Sequence, residues 1–513
     1  MPIMSRIVWL AAMLVFSTSF VWSTTIPGLG TATFPTSTHS ATAARDFARG
    51  LLLLHVFEYT DAAKSFVAAE KDPGFALAYW GEAMTFNHPV WDEVDVQAGR
   101  EALAKFAPTT EARAAKIADS RERAYFSAVE ILYGDSRSKS ERDARYALAM
   151  QLSRTCAKDD EAQLFYALAL LGKSEGVRDV PTYLHAAAIA KAVFMRNSHH
   201  PGAAHYWIHG MDDPQHAGGA LVAARALSKI ARDAPHAQHM CSHIFLALGM
   251  WGDVVRANLA ATSLMNQRRI AAGKPPIRCG HYNYWLEYGY LEEGRLGEAK
   301  RLVAGCREEA TREAMTAHAR GTDPDDSSTS SFAEMRSRYL VDTGHWRDEV
   351  ARWRLDGTDE VLISQMTDEF TTGLAAAKTG DLTRARTALG EVRRLLSQAP
   401  LAFNRAGIPQ GDPTRRLPDV EVLQLEAVIL SATGQRDQAA AKLQQAIPIN
   451  KELPYAFGPP TPAKPCEELL GELLLGGHKS SLARAAFEAS LKRAPERTQS
   501  LLGLARAGKG DGR

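Results

Sequence analysis

The chain lacks the features that would place it in a disulfide-held class. Its 513 residues include five cysteines, none of them in CxxC spacing, and the odd count leaves at least one thiol unpaired. Without a disulfide framework the fold has to be held by packing. The five cysteines are Cys156, Cys241, Cys279, Cys306 and Cys466.

An excess of charge of either sign is also missing. The 60 Lys and Arg residues balance 59 Asp and Glu residues, a formal net charge of +1, and the two signs are interspersed. Such a balance gives no electrostatic footprint for nucleic acid or for an anionic membrane. The sequence contains no HExxH, GxSxG, Walker or CxxCH motif, so it carries no nucleotide, haem or flavin signal and no ready-made catalytic motif.

Long apolar runs are absent as well, and the longest lies at the start. Arg6 precedes the apolar stretch 7–16, and small and polar residues follow up to Ser23. This pattern predicts a signal peptide at 1–23, since a membrane span needs about 20 apolar residues. We therefore expect a periplasmic or secreted protein with no membrane association after signal removal. Residues 24–41, rich in Ser, Thr and Pro, are predicted to be a flexible lead-in.

What the chain does contain is an internal repeat. Near both ends a glycine is followed by an alanine at offset 12 and a phenylalanine at offset 16, with a proline closing the unit: Gly50, Ala62, Phe66 and Pro73, then Gly471, Ala483, Phe487 and Pro495. Small residues at these offsets suit two antiparallel helices in close contact, and proline ends the second helix. The period of about 34 residues predicts an all-α, tetratricopeptide-type solenoid of nine or ten helix pairs.

Breaks in the repeat define the expected domains. An N-terminal array is predicted for 42–315, a linker for 316–331, and a C-terminal array for 332–513. The last array is expected to end in a capping helix near Ser500–Ala507.

Several segments resemble a family of exported bacterial tetratricopeptide-repeat proteins, and the likeness covers nearly the whole mature chain. They are the stretches 78–84, 200–206, 242–245, 455–460 and 468–472. The resemblance implies a right-handed superhelix whose first helices line a concave groove that binds a peptide or protein partner. In that pattern, positions 2, 5, 9 and 12 of each unit face the groove. The resemblance implies no catalytic residues.

Histidines are concentrated at these groove positions. The pattern Pro-x-Ala-x-His-x-x-x-His begins at Pro201 and again, 34 residues later, at Pro235. Each pair is spaced i, i+4 and so shares one helix face. Further histidines stand at position 2 of two units, and two aspartates follow the first pair. The candidate metal ligands are His205, His209, His236, His239, His243, His281, Asp212 and Asp213.

Neutral imidazoles crowded on one surface are typical transition-metal ligands, and copper or zinc is favoured for an exported protein. The alternatives are a metal-free polar groove and a metal-free peptide-binding surface. Two functions follow: a scaffold that binds a partner and carries a metal site, or a metal-dependent enzyme, copper oxidase-like or zinc hydrolase-like. A loop-anchoring role is favoured for Glu82, His88 and Trp91.

Overall fold

The computed structural model describes residues 23–134, 137–155, 159–173, 178–315, 328–354, 362–405, 412–453, 455 and 458–510. The predicted signal peptide lies outside these ranges except for Ser23, and so do Cys156 and residues 316–327 of the predicted linker. No helix in the described part of the chain is long and apolar enough to cross a membrane.

The protein is all-α, as predicted, and its helices follow one another in contacting pairs. The first eleven helices are α1 (Ala41–His55), α2 (Tyr59–Ala69), α3 (Ala76–Met84), α4 (Val96–Phe106), α5 (Thr110–Lys116), α6 (Ser120–Tyr133), α7 (Lys139–Thr155), α8 (Asp160–Gly172), α9 (Val180–Arg196), α10 (Pro201–Met211) and α11 (Leu221–Ile230). Short 3-10 turns lie at Pro89–Trp91, Ala217–Ala220, Glu349–Arg352 and Pro413–Arg416.

The remaining helices continue the same arrangement. They are α12 (Pro235–Ala247), α13 (Trp251–Ala271), α14 (His281–Glu292), α15 (Leu296–Met315), α16 (Ser328–Thr343), α17 (Leu362–Thr379), α18 (Leu382–Arg405), α19 (Leu417–Ala432), α20 (Arg436–Glu452), α21 (Cys466–Gly476), α22 (Ser480–Arg493) and α23 (Thr498–Gly510). Ten pairs can be traced among the described residues, with α5, α16 and α23 outside them.

The small residues of the repeat lie where the two helices of a pair touch. A Cβ atom added at Gly50 would lie 2.8 Å from the Phe66 ring, and one added at Gly471 would lie 2.8 Å from the Phe487 ring. Both contacts join a first helix to the second helix of the same pair. The offset of 16 residues therefore reflects a steric requirement that recurs at both ends of the chain.

Residues 24–41 differ from the flexible lead-in that composition suggested. Strands β1 (Ser23–Ile26) and β2 (Gly30–Thr33) form an antiparallel hairpin, and Leu29 and Phe34 are buried in the main core. The backbone N–H of Thr31 donates to the His199 carbonyl at 2.9 Å. The threonines that suggested a loop instead occupy strands on either side of a tight turn, where β-branched residues are favoured. A second, shorter hairpin joins β3 (Asn87–His88) and β4 (Glu93–Val94).

The predicted linker at 316–331 extends too far, because α16 already begins at Ser328. Its first serines are buried, and the Ser331 hydroxyl accepts a hydrogen bond from the Gly280 N–H at 3.1 Å. Serine-rich composition predicts a loop, whereas these small side chains allow α16 to pack closely. Nearby, Cys279 and Cys306 form a disulfide, so one pair of the scattered cysteines is joined.

The C-terminal end of the described chain folds back onto the middle. The backbone N–H of Thr498 donates to Glu292 Oε2 at 2.7 Å, and Trp251 Nε1 donates to the Glu496 carbonyl at 3.1 Å. Since the N-terminal hairpin contacts the segment before α10, both ends pack around helices α10 to α14.

Candidate metal centre

Helices α10, α12 and α14 place the candidate histidines side by side. Pro201 and Pro235 stand at the first turn of α10 and α12, where the missing proline N–H costs nothing. Gly280, with φ of 86°, precedes α14 and lets the chain turn directly into His281. Each helix therefore begins close to its ligand-type residues, and the i, i+4 pairs face the same space.

The first histidine group consists of His205, His209 and His236. One ligand atom from each lies within 4.8 Å of the other two. The Nε2 atoms of all three rings are buried and have no hydrogen-bond partner among the described residues. His205 Nδ1 lies 2.7 Å from the His55 carbonyl and must donate to it, so the Nε2 of His205 carries a lone pair. Buried unpaired nitrogens are costly, and a bound cation would remove that cost.

The second histidine group consists of His239, His243 and His281, again with ligand atoms within 4.8 Å of one another. His239 Nδ1 donates to Asn258 Oδ1 at 2.7 Å, and His243 Nδ1 donates to Asp212 Oδ2 at 3.1 Å. The Asn258 amide is oriented by its own donation to the Val254 carbonyl at 2.9 Å.

These partners fix where the protons are. With both protons on Nδ1, the Nε2 atoms of His239 and His243 lie 3.2 Å apart and face each other with lone pairs. His281 Nε2 is 3.0 Å from His239 Nε2. Two neutral acceptors cannot bond to one another, and the three ligand atoms lie close enough together to hold one cation between them.

The imidazoles are held neutral. Burial lowers the pKa of His205 to about 3, despite the favourable hydrogen bond to the His55 carbonyl. Burial, and then the neighbouring histidines, also lower the pKa of His209 and of His236 well below the usual range. For His239, burial and then His281 lower the pKa in the same direction. At neutral pH each of these four imidazoles therefore has one nitrogen with a lone pair available for a metal.

The two candidate aspartates have different surroundings. Asp212 receives Arg178 Nη1 at 2.5 Å on one oxygen and His243 on the other, so it orients that imidazole through its second nitrogen. Asp213 accepts from Arg178 Nη2 at 2.8 Å and from the His216 ring at 2.8 Å. Both carboxylates are thus engaged by side chains outside the two histidine groups, and a direct metal bond to either stays a prediction.

A third cluster, His55, Glu161 and His200, was missed by sequence analysis because its residues come from α1, from α8 and from the turn before α10. Glu161 accepts from His55 Nε2 at 2.7 Å and from His200 Nε2 at 2.9 Å. The remaining His55 nitrogen is 2.9 Å from the Tyr206 hydroxyl, and His200 Nδ1 accepts from the Ala203 N–H at 3.3 Å. Every polar atom is paired, so this cluster needs no ion.

Aromatic rings enclose the two histidine groups. The Phe57 ring, on a residue with φ of 58°, lies 4.4 Å from the His205 ring, and Trp285 stacks on His243 at 4.6 Å. Trp91 meets the His236 ring edge-on at 5.7 Å. Phe57 and Trp285 are buried, whereas Trp91 is 46% exposed. Phe57 and Trp91 come from the N-terminal repeats, and no spacing in the sequence links them to the histidines.

A C-terminal segment of the chain packs against helices α14 and α16. Arg338 on α16 donates to the carbonyls of Pro460, at 2.5 Å, and Ala463, at 2.9 Å. A Cβ atom added at Gly458 would lie 2.7 Å from the Trp285 indole. The segment 458–463 therefore lies against α16 and against α14, the helix that carries His281.

Comparison with known proteins gives little beyond this geometry. No family model and no curated protein matches the chain. The solved structure of the Cut9–Hcn1 hetero-tetramer is similar at a TM-score of 0.31 and 10% identity, covering 91% of this chain and 83% of that one. Yeast Tom70 is similar at a TM-score of 0.29 and 12% identity, covering 91% of this chain and 95% of that one.

Proposed function

We propose that the protein is an exported metalloprotein that binds two transition-metal ions, one in each histidine group. The observation that best supports this proposal is the 3.2 Å distance between the Nε2 atoms of His239 and His243. Both rings donate from Nδ1 to other residues, so their protons lie on Nδ1. The first histidine group repeats this chemistry with three buried, unpaired Nε2 atoms. Neutral nitrogen ligands suit copper or zinc among the ions available outside the cytoplasm.

Export is supported by the disulfide between Cys279 and Cys306, since disulfides persist mainly in oxidising compartments.

The enzyme alternative is supported by the number of protein ligands in each histidine group. Each group supplies three protein ligands, and catalytic zinc sites keep a fourth position open, whereas structural sites close it with four. A peptide or protein partner stays a prediction of the repeat pattern.

The test is metal content of the protein purified from its native compartment, with His239→Ala as the diagnostic variant. We expect about two ions per chain in the wild type. His239→Ala removes the central ligand of the second group, so it should retain one ion. His345→Ala is the matched control, because His345 is exposed and outside both groups.

Metal-free wild-type protein that remains metal-free after incubation with copper or zinc would refute the proposal. The two histidine groups would then form a metal-free polar groove. The enzyme alternative would be refuted as well, because it depends on the metal.

A further inference from the structure

The two histidine groups are built from shared helices, so they cannot act separately. Helix α12 gives His236 to the first group and His239 and His243 to the second. The rings of His236 and His239 lie 6.2 Å apart, and those of His209 and His243 lie 5.9 Å apart. Two ions bound here would each sit about 2 Å from their own nitrogens, so only a few ångströms of protein would separate them.

The ligands bring no negative charge to offset the ions. Neither group contains a carboxylate among its described members. The carboxylates nearby are already paired with arginine: Asp212 with Arg178 at 2.5 Å, and Glu58 with Arg268 at 2.7 Å. Two divalent ions in neutral ligand sets repel each other, and the repulsion is strong in a site lined by buried rings. An additional anion would relieve it.

Access to the groups is one-sided. Trp285, 1% exposed, and Phe57, 5% exposed, close the interior sides. His281 is exposed, and Trp91 is 46% exposed. Trp91 lies against the His236 ring of the first group, and His281 belongs to the second group, so a ligand can approach each group beside one of these exposed residues.

We propose that the two groups form one paired, coordinatively open centre that binds a small anion at its open positions, admitted beside His281 and Trp91. This inference rests on the proposed function and adds its ligand class. Binding of the second ion and binding of the anion are then linked, and each raises the affinity of the other by the same factor.

The experiment titrates the full mature chain with Co²⁺, in a buffer free of coordinating anions and again with azide as the probe. Absorption of bound Co²⁺ reports the ions, and a new charge-transfer band reports azide. We expect the first ion to bind equally well in both buffers. The second ion should bind at least tenfold more tightly with azide, and azide should saturate at one per pair of ions.

Two variants and one control make the result decisive. His281→Ala, changed at an exposed residue, and His205→Ala, changed in the other group, should each bind a single Co²⁺ ion whose affinity azide leaves nearly unchanged. His345→Ala should behave as the wild type. Two ions that bind independently of azide would overturn the paired centre and leave the proposed function standing, whereas one ion in both buffers would also contradict the proposal of two ions per chain. Absence of Co²⁺ binding would overturn the proposed function as well.

Discussion

At the scale of single residues, the buried histidines make stability depend on pH. An imidazole in the unfolded chain has a pKa near 6.5, whereas burial lowers the pKa of His205 to about 3 in the folded state. Between these values the unfolded chain takes up a proton that the folded chain does not. Stability is therefore fully present above about pH 6.5 and is lost as the pH falls through this window.

We predict that metal-free protein loses about 1.4 kcal/mol of its free energy of unfolding between pH 7.5 and pH 5.5 for His205 alone. His209, His236 and His239 add losses of the same sign, because burial lowers each pKa. Urea unfolding at the two pH values measures the change. His205→Gln, which does not titrate, should show a smaller loss than the wild type, and equal losses in both would contradict the assignment.

The six histidines could be predicted because a period of 34 residues and i, i+4 spacing are visible in one sequence. Asn258, His55 and Arg178 could not, although they fix the protons and the orientation of the ligands. Asn258 lies on a second helix, where the repeat predicts packing residues. His55 acts through its carbonyl group, 150 residues away from His205, and no side-chain pattern reports that contact.

At the scale of helices, the repeat glycines are required by close contacts between paired helices, and the contribution of these contacts to the free energy of unfolding can be measured. A methyl group added at Gly471 would enter the Phe487 ring at 2.8 Å, whereas one added at Gly390 meets nothing within 4 Å. We predict that Gly471→Ala lowers the free energy of unfolding by about 1–3 kcal/mol through overpacking. Gly390→Ala, at an exposed position of α18, should raise it by up to about 1 kcal/mol. Thermal or urea unfolding followed by circular dichroism distinguishes them, and destabilisation by both variants would refute the packing account.

The helix pairs were predictable because their sequence spacing repeats. The elements outside the repeat, such as the β1–β2 hairpin, were not. The hairpin at β1 and β2 is short and threonine-rich, and its composition alone resembles a loop. It is ordered by long-range contacts with the segments before α10 and α12, such as the bond from the Asp233 N–H to the Gly28 carbonyl at 3.1 Å. Such tertiary contacts leave no periodic trace in a local stretch of sequence.

At the scale of the whole molecule, a buried ion network fastens the C-terminal repeats to the middle of the chain. Arg497 is fully buried and donates to Asp342 at 2.5 Å, to Glu468 at 2.8 Å and to Glu292 at 3.3 Å. These acceptors come from α16, α21 and α14. One guanidinium therefore neutralises carboxylates from three separate parts of the solenoid.

We predict that Arg497→Met costs about 3–5 kcal/mol, because Glu292 loses its arginine and the buried Glu468 and Asp342 keep only Lys464 and Arg338. Arg295→Met is the control: Arg295 pairs with Glu293 and Glu298 at 3.2 Å on a side chain that is 39% exposed, and such pairs contribute about 1 kcal/mol or less. Chemical denaturation measures both. A loss for Arg497→Met no larger than that for Arg295→Met would show that the network does not fasten the C-terminal repeats.

Each histidine group combines residues from two consecutive repeat units, and this has a consequence for how the number of groups can change when the gene changes. Each histidine group takes two rings from one unit and one ring from the next, so the binding property belongs to the seam between units. Duplication of the stretch 235–280 within the gene would therefore add a complete new seam, because this unit carries His236 as well as His239 and His243, while loss of the same stretch would leave one seam, formed by His205, His209 and His281. The proposed metal capacity of such a chain can therefore grow or shrink by whole sites through duplication or deletion alone, without a new ligand residue.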